Sequence, residues 1–231
     1  RCRGGFKENI ALILIDEVHQ VGTSRGATLE AVVSRMRTMH KSVRLIAISA
    51  TIPNIGDLAS WLQVPGDSTF SLGEEFRPVR ISIHVLGYPQ AKNDFVFDRN
   101  LNFRLSEVIS QYGHGRPALI FCSSRKGAVQ AAQQVAKDCN SKLLITSREH
   151  SLALDDAASR AADKNLAECL LKGVGFHSAA NTFGDRALVE QLFLSGKLLV
   201  LCTTSTLSQG VNFPAFLVVV KGTKHYVAGG Y

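Results

Sequence analysis

Apolar residues in this chain fall into short unbroken runs separated by amphipathic stretches. Residues 10–15 read IALILI and end at Asp16, which predicts a strand buried on both faces of a parallel sheet. Across residues 28–40, Leu29, Val32, Val33, Met36 and Met39 recur at helical spacing and predict an amphipathic helix. VRLIAIS at 43–49 is the next strand. Residues 55–62 form a short helix with Ile55, Leu58, Ala59 and Leu62 inward and Asn54 placed to cap it. Pro65, Gly66, Asp67, Gly73 and Pro78 then mark a loop. VRISIHVL at 79–86 alternates with period two and predicts a further strand.

A boundary is expected at 86–91, giving units of 1–88 and 89–231, and the second unit repeats the theme. Helices are expected at 97–112, 125–138, 158–171 and 184–196, with 142–157 mixed between loop and partial helix. Strands are expected at 117–122 (PALIFC), 173–177, 198–203 (LLVLCT) and 216–220 (FLVVV). Ser123 and Ser124 stand where the helix after PALIFC needs a cap. Alternation of strands with helices of these lengths predicts an α/β protein with parallel sheets and right-handed crossovers.

Composition adds limits. Apolar residues are 45% and charged residues 19% of 231, enough for a sizeable core and too apolar for wholesale disorder. No run approaches the length of a bilayer span, so no membrane role is expected. A net charge of +7 favours polyanionic partners, because phosphate neutralisation releases counterions. The five cysteines (Cys2, Cys122, Cys139, Cys169, Cys202) include no C-x-x-C pair. Neither a disulfide framework nor a zinc cluster is expected, and the compartment reads as reducing. The chain opens at Arg1 and stops at Tyr231, and both ends read as cut.

In open parallel sheets ligands bind beyond the carboxyl ends of the strands. Polar residues gather there: Asp16-Glu17-Val18-His19, Ser49-Ala50-Thr51, Ser123-Ser124-Arg125, His177-Ser178 and Thr203-Thr204-Ser205-Thr206. Any one polar strand end is ordinarily a turn or a cap; five converging on one rim suggest a site. Adjacent carboxylates after a wholly apolar strand suit metal-assisted phosphoryl transfer, one beside Mg²⁺ and the other positioning water. The bland alternative is a pair of acids complementing a helix dipole.

Asp16-Glu17-Val18-His19 resembles the Walker B (DEVH) box of superfamily 2 helicases, and Ser49-Ala50-Thr51 resembles their SAT motif. PALIFCSSRKGA (117–128) resembles the strand–Ser–Arg motif of their second RecA-like domain. The stretch 173–215, ending TTSTLSQGVNFPA, resembles their H-H-A-G-L element through T-S-T-L-x-x-G-V-N-x-P. The large exosome-associated, spliceosomal and archaeal repair helicases share this form. GVGFHS, with RGATLEAVVSRM at 25–36, is most similar to the meiotic crossover DNA helicases of that group.

The resemblance implies two tandem RecA-like domains, the first truncated at its N-terminus and the second at its C-terminus. It implies ATP and Mg²⁺ as cofactors. Asp16 would hold Mg²⁺ through water and Glu17 would orient the attacking water, while His19, Ser49 and Thr51 would couple the γ-phosphate to a nucleic-acid groove. Ser123, Ser124, Arg125 and Thr204 would contact a single strand, with His177 and Arg186 as further candidates, and Gly210 and Asn212 would sit near the nucleotide. The partners implied are single-stranded and partly duplex nucleic acid, DNA favoured over RNA, in the nucleus. Backbone-directed contacts of this kind predict sequence-independent binding.

This sequence departs from the family pattern at Phe176 and at Ser178-Ala179-Ala180, where the family has a second histidine and A-G-L. His177 is therefore equally a structural histidine, and Arg186 equally a solvated helix residue. Trp61, inside a short amphipathic helix, reads as a core filler. His84, His114, His150 and His225 show no ligand spacing. No G-x-x-x-x-G-K-[ST] occurs, and neither does the family's Q-x-x-G-R-x-G-R. The 231 residues alone are accordingly expected to hydrolyse no ATP, with a half-built first sheet. The alternatives are an RNA helicase, a non-catalytic helicase-like cassette and, last, a nucleotide-binding metabolic enzyme.

Overall fold

The computed structural model describes residues 10–23, 26–39, 43–50, 52–139, 144–204, 207 and 213–223. Backbone contacts divide the chain into two units, Arg1–Val85 and Leu86–Tyr231. Both are α/β with parallel strands.

In the first unit β1 (Leu12–Ile15) pairs in parallel with β2 (Arg44–Ala47), Leu12 opposite Arg44 and Ile15 opposite Ala47. Helix α1 (Gly26–Met39) connects them, and α2 (Ile55–Leu62) follows. Ile15, Val18, Val33 and Leu62 form the core, with Ile13, Leu29, Leu45 and Trp61 packed around it. Trp61 is thus a core filler. Asn54 precedes α2 without capping it; its side-chain amide donates instead to the Asp57 carboxylate at 3.1 Å.

Two expectations fail in this unit. The first sheet is buried on one face only: Leu14 is 69% and Ile48 63% exposed, with Leu12 and Ile46 beside them. Residues 79–86 form no strand, and Val79, Ile81, Ile83 and Val85 all stand exposed. Period-two alternation marks which side chains share a face, but a strand also needs a neighbouring ladder for its amides and carbonyls. No described residue supplies one.

The second unit has a four-stranded parallel sheet in the order β4 (Val174–His177), β5 (Val200–Thr203), β3 (Ala118–Phe121), β6 (Leu217–Val220). Ala118 lies opposite Val200 on one side and Leu217 on the other. β4 and β5 are buried throughout, as a doubly covered sheet requires. The helices are α3 (Asp94–Leu101), α4 (Leu105–Gly113), α5 (Arg125–Asp138), α6 (Arg148–Arg160), α7 (Lys164–Leu170) and α8 (Phe183–Leu194).

Capping side chains set most of these boundaries. Asn93, Ser124, Ser147, Asp163 and Thr182 each accept a backbone N–H at the start of α3, α5, α6, α7 and α8. Ser147 begins a full helix inside the stretch expected to be mixed. Asp163, after extended Ala161, divides the single helix expected at 158–171 into α6 and α7. The single helix expected at 97–112 is likewise two, α3 and α4, separated by a 3-10 turn at Asn102–Arg104.

Candidate functional site

Parallel pairing brings the carboxyl ends of β1 and β2 side by side. The ladder runs past both strands: Ile48 donates its amide to the Ile15 carbonyl at 2.8 Å, and Val18 donates to the Ile48 carbonyl at 3.0 Å. Asp16–His19 is thereby held against Ser49-Ala50. Between them Glu17 takes a left-handed backbone conformation, φ 53° and ψ 41°, a strained state for a residue with a side chain, costing about 1–3 kcal/mol. The bend turns the chain out of the strand into a 3-10 turn, Val18–Gly22, anchored by buried Val18.

His19 joins the two segments. Its Nδ1 accepts from the Ala50 amide and from the Ser49 hydroxyl, both at 3.3 Å. The ring proton therefore belongs on Nε2, which donates to Glu17 Oε2 at 3.2 Å. Asp16 Oδ1 accepts the Glu17 amide at 2.9 Å. Glu17 is thus oriented by its own backbone bend, by Asp16 and by His19. Thr51 lies outside the described residues.

The donor set is compatible with Mg²⁺. Asp16 and Glu17 are exposed carboxylates, and no group of three or more His, Cys, Asp or Glu able to hold an ion occurs among the described residues. Two hard oxygen donors without a cage suit Mg²⁺, which keeps several waters and takes its remaining ligands from phosphate.

The second unit has its own rim. β3 and β5 are neighbours, yet the chain leaves β3 for β4 on one side and β5 for β6 on the other. Strand order thus reverses at their carboxyl ends, the position where open parallel sheets ordinarily place a binding crevice. Cys122 donates its amide to the Thr203 carbonyl at 2.7 Å, tying the two ends together. Ser124 caps α5, its Oγ accepting the Gly127 amide at 3.0 Å. Ser124, Arg125 and Lys126 are exposed and Ser123 half-buried. Arg125 and Lys126 line a cavity of about 200 Å³ with Ser178 and Asn181.

Other predicted residues lie deeper. His177, 6% exposed, donates from Nε2 to Glu190 on α8 at 2.7 Å, and its Nδ1 is buried without a partner. Arg186, one turn before Glu190, is half-buried with Nε enclosed and unpartnered. Thr204 is buried at 7% exposure. Gly210 and Asn212 lie outside the described residues.

The structure adds residues that the sequence reading passed over. Asn181 Oδ1 accepts both the Ser178 amide at 2.8 Å and the Ser178 hydroxyl at 3.1 Å, closing the turn that departs from A-G-L. An Asn three residues after a Ser in a glycine-poor turn was the available signal. His150 accepts the Thr146 amide and donates to the Lys197 carbonyl, a structural tie.

The DEAD/DEAH box helicase family profile matches residues 3–58, the segment holding Asp16–His19 and Ser49–Thr51. Over that segment the chain is similar to DEAD/DEAH box helicases. Over 96% of its length the chain is 46% identical to the ATP-dependent DNA helicase homolog MER3 of Arabidopsis thaliana. Over 95% it is 44% identical to the probable ATP-dependent DNA helicase HFM1 of Xenopus tropicalis. Over 96% it is 36% identical to the DExH-box ATP-dependent RNA helicase DExH14 of Arabidopsis thaliana. The chain spans 21%, 18% and 10% of these three relatives respectively, about a fifth or less of each.

Proposed function

We propose that the chain is part of an ATP-dependent DNA helicase that moves along a single strand and parts duplexes during meiotic recombination in the nucleus. The observation that carries this reading is the His19 bridge. One imidazole joins the carboxylate expected to orient water, Glu17, to the Ser49-Ala50 segment expected to sense nucleic acid. The higher identity to the DNA helicases than to the RNA helicase favours DNA.

Asp16 and Glu17 would hold Mg²⁺ through its waters, and the ion would supply charge neutralisation on the phosphates of ATP. Glu17 would take up a proton from the attacking water. His19 shares its ring between Glu17 and the Ser49-Ala50 segment, so movement of that segment on engaging a strand would realign the carboxylate. In the second unit half-buried Ser123 and exposed Ser124 and Arg125 would be the groups suited to backbone phosphates; the resemblance would put Gly210 and Asn212, outside the described residues, near the nucleotide. His177 and Thr204, being buried, and half-buried Arg186 would act behind them by shaping the rim.

The test compares two proteins. The full-length protein should show ATPase stimulated by single-stranded DNA and should separate a tailed DNA duplex faster than the matching RNA duplex. The 231 residues alone, containing no G-x-x-x-x-G-K-[ST], should show no ATPase above background. A full-length protein that binds DNA without turnover would make this a non-catalytic cassette, and preference for RNA would reassign the substrate.

A further inference from the structure

Lys221 follows β6 directly, in a chain whose positive charge invites every lysine to be read as a phosphate contact. The structure excludes that use. Its side chain is 1% exposed, and Nζ donates to Asp98 Oδ2 at 2.9 Å and to Asn102 Oδ1 at 2.7 Å. Asp98 lies on α3 and Asn102, itself buried, at the break between α3 and α4. The Lys221 amide also donates to the Phe121 carbonyl at 3.0 Å, extending the β6–β3 ladder to the base of the serine–arginine turn.

The Asp98 carboxylate abuts that same turn. A methyl group placed at Gly127 would come within 3.6 Å of Asp98 Oδ2, 3.0 Å of Ser124 Oγ and 3.8 Å of Cys122 Cβ. The ion pair, its ammonium buried and its carboxylate half-buried, thus sits beside Gly127 in the first turn of α5 and, through the Lys221 amide, beside Phe121. It flanks the segment that presents Ser123, Ser124 and Arg125. The Cys122 thiol registers the same closeness: burial pushes it up to about 11, with Lys221 opposing and Asp98 adding to the rise.

We infer that Lys221, Asp98 and Asn102 form a positioning latch that fixes the Cys122–Arg125 turn against the sheet, so that the turn meets a single strand already ordered. The inference rests on the proposed contact between this turn and nucleic acid. An isolated buried ammonium or carboxylate is costly, so the pair holds α3, β6 and the turn in one arrangement. Lys221 is a positioning residue and touches no phosphate.

The experiment uses the full-length protein with Lys221→Met, Asp98→Asn and the double variant Lys221→Met/Asp98→Leu, which leaves no orphan charge if a single variant fails to fold. Arg125→Ala runs beside them. Hydrogen exchange is followed at residues 122–127 and, as an internal standard, in β5. The latch predicts faster exchange at 122–127 with β5 unchanged. It also predicts about a tenfold rise in the DNA concentration giving half-maximal ATPase, with the nucleotide KM and the rate at saturating DNA preserved. Exchange and DNA dependence equal to the parent in a folded variant would overturn it, as would equal loosening of β5. If Arg125→Ala weakens DNA binding and the latch variants do not, the latch alone falls. If Arg125→Ala changes nothing, the rim's role in binding nucleic acid falls and takes the latch with it.

Discussion

Glu17 carries two burdens that separate under mutation. Its carboxylate is held by His19, and its backbone occupies a region that side chains disfavour. Glu17→Gln keeps the bend and removes the proposed base, so ATPase of the full-length protein should fall by about a hundredfold or more, with an unchanged melting temperature. A melting temperature lowered along with activity would mean the carboxylate is structural. The thiols give a second residue-scale expectation. Burial pushes Cys122 up to about 11, Cys169 to about 12 and fully buried Cys202 well above the usual thiol value. These thiols are more readily protonated in the folded state than in the unfolded chain. Their contribution to stability is therefore complete below about pH 9 and lost as pH rises through about 11 to 12. At pH 8 a thiol reagent should label none of the three until denaturant is added. Rapid labelling of any in the native protein would show its burial to be wrong.

At the scale of elements, the contact between α1 and the turn after β1 is the tightest constraint on the first site. A Cβ on Gly26 would stand 2.2 Å from the Gln20 carbonyl oxygen and 2.1 Å from that of Val21. Backbone cannot yield as a side-chain tip does, so Gly26→Ala should push the 3-10 turn carrying His19 out of place. We expect a loss of about 1–3 kcal/mol in the first unit and a weaker dependence of ATPase on DNA. Thermal melts and DNA titrations would measure these, and a variant matching the parent in both would refute the contact. Helix ends show how much was legible beforehand. Ser124 was readable as a cap because it follows an apolar strand directly. Asp163 was not, because Ala157, Ala158 and Leu166 continue a helical pattern across it, and only the extended backbone at Ala161 reveals the break.

For the whole molecule, the two units differ in how completely they are covered. The second has a continuous core reaching from Leu105 to Leu207. Among the described residues the first rests on four buried apolar side chains, with one sheet face exposed. Parallel sheets are ordinarily covered on both faces, so in the 231-residue chain the amides of β1 and β2 should exchange well before those of β3 and β5. Simultaneous exchange would show one cooperative block. Local pattern alone determined that this is an α/β chain with parallel strands, where most strands run, and that Asp16–His19, Ser49 and Ser123–Arg125 stand at strand ends. Those features depend on neighbours in the sequence, so periodicity and caps report them. Tertiary structure decided what depends on distant partners: that β3 and β5 adjoin at the reversal of strand order, that His19 bridges to a residue 30 positions away, and that residues 79–86 form no strand. It also decided that Lys221 serves a carboxylate 123 positions earlier in the chain and no phosphate. A charge pattern records that a lysine is present; only packing fixes which anion it meets.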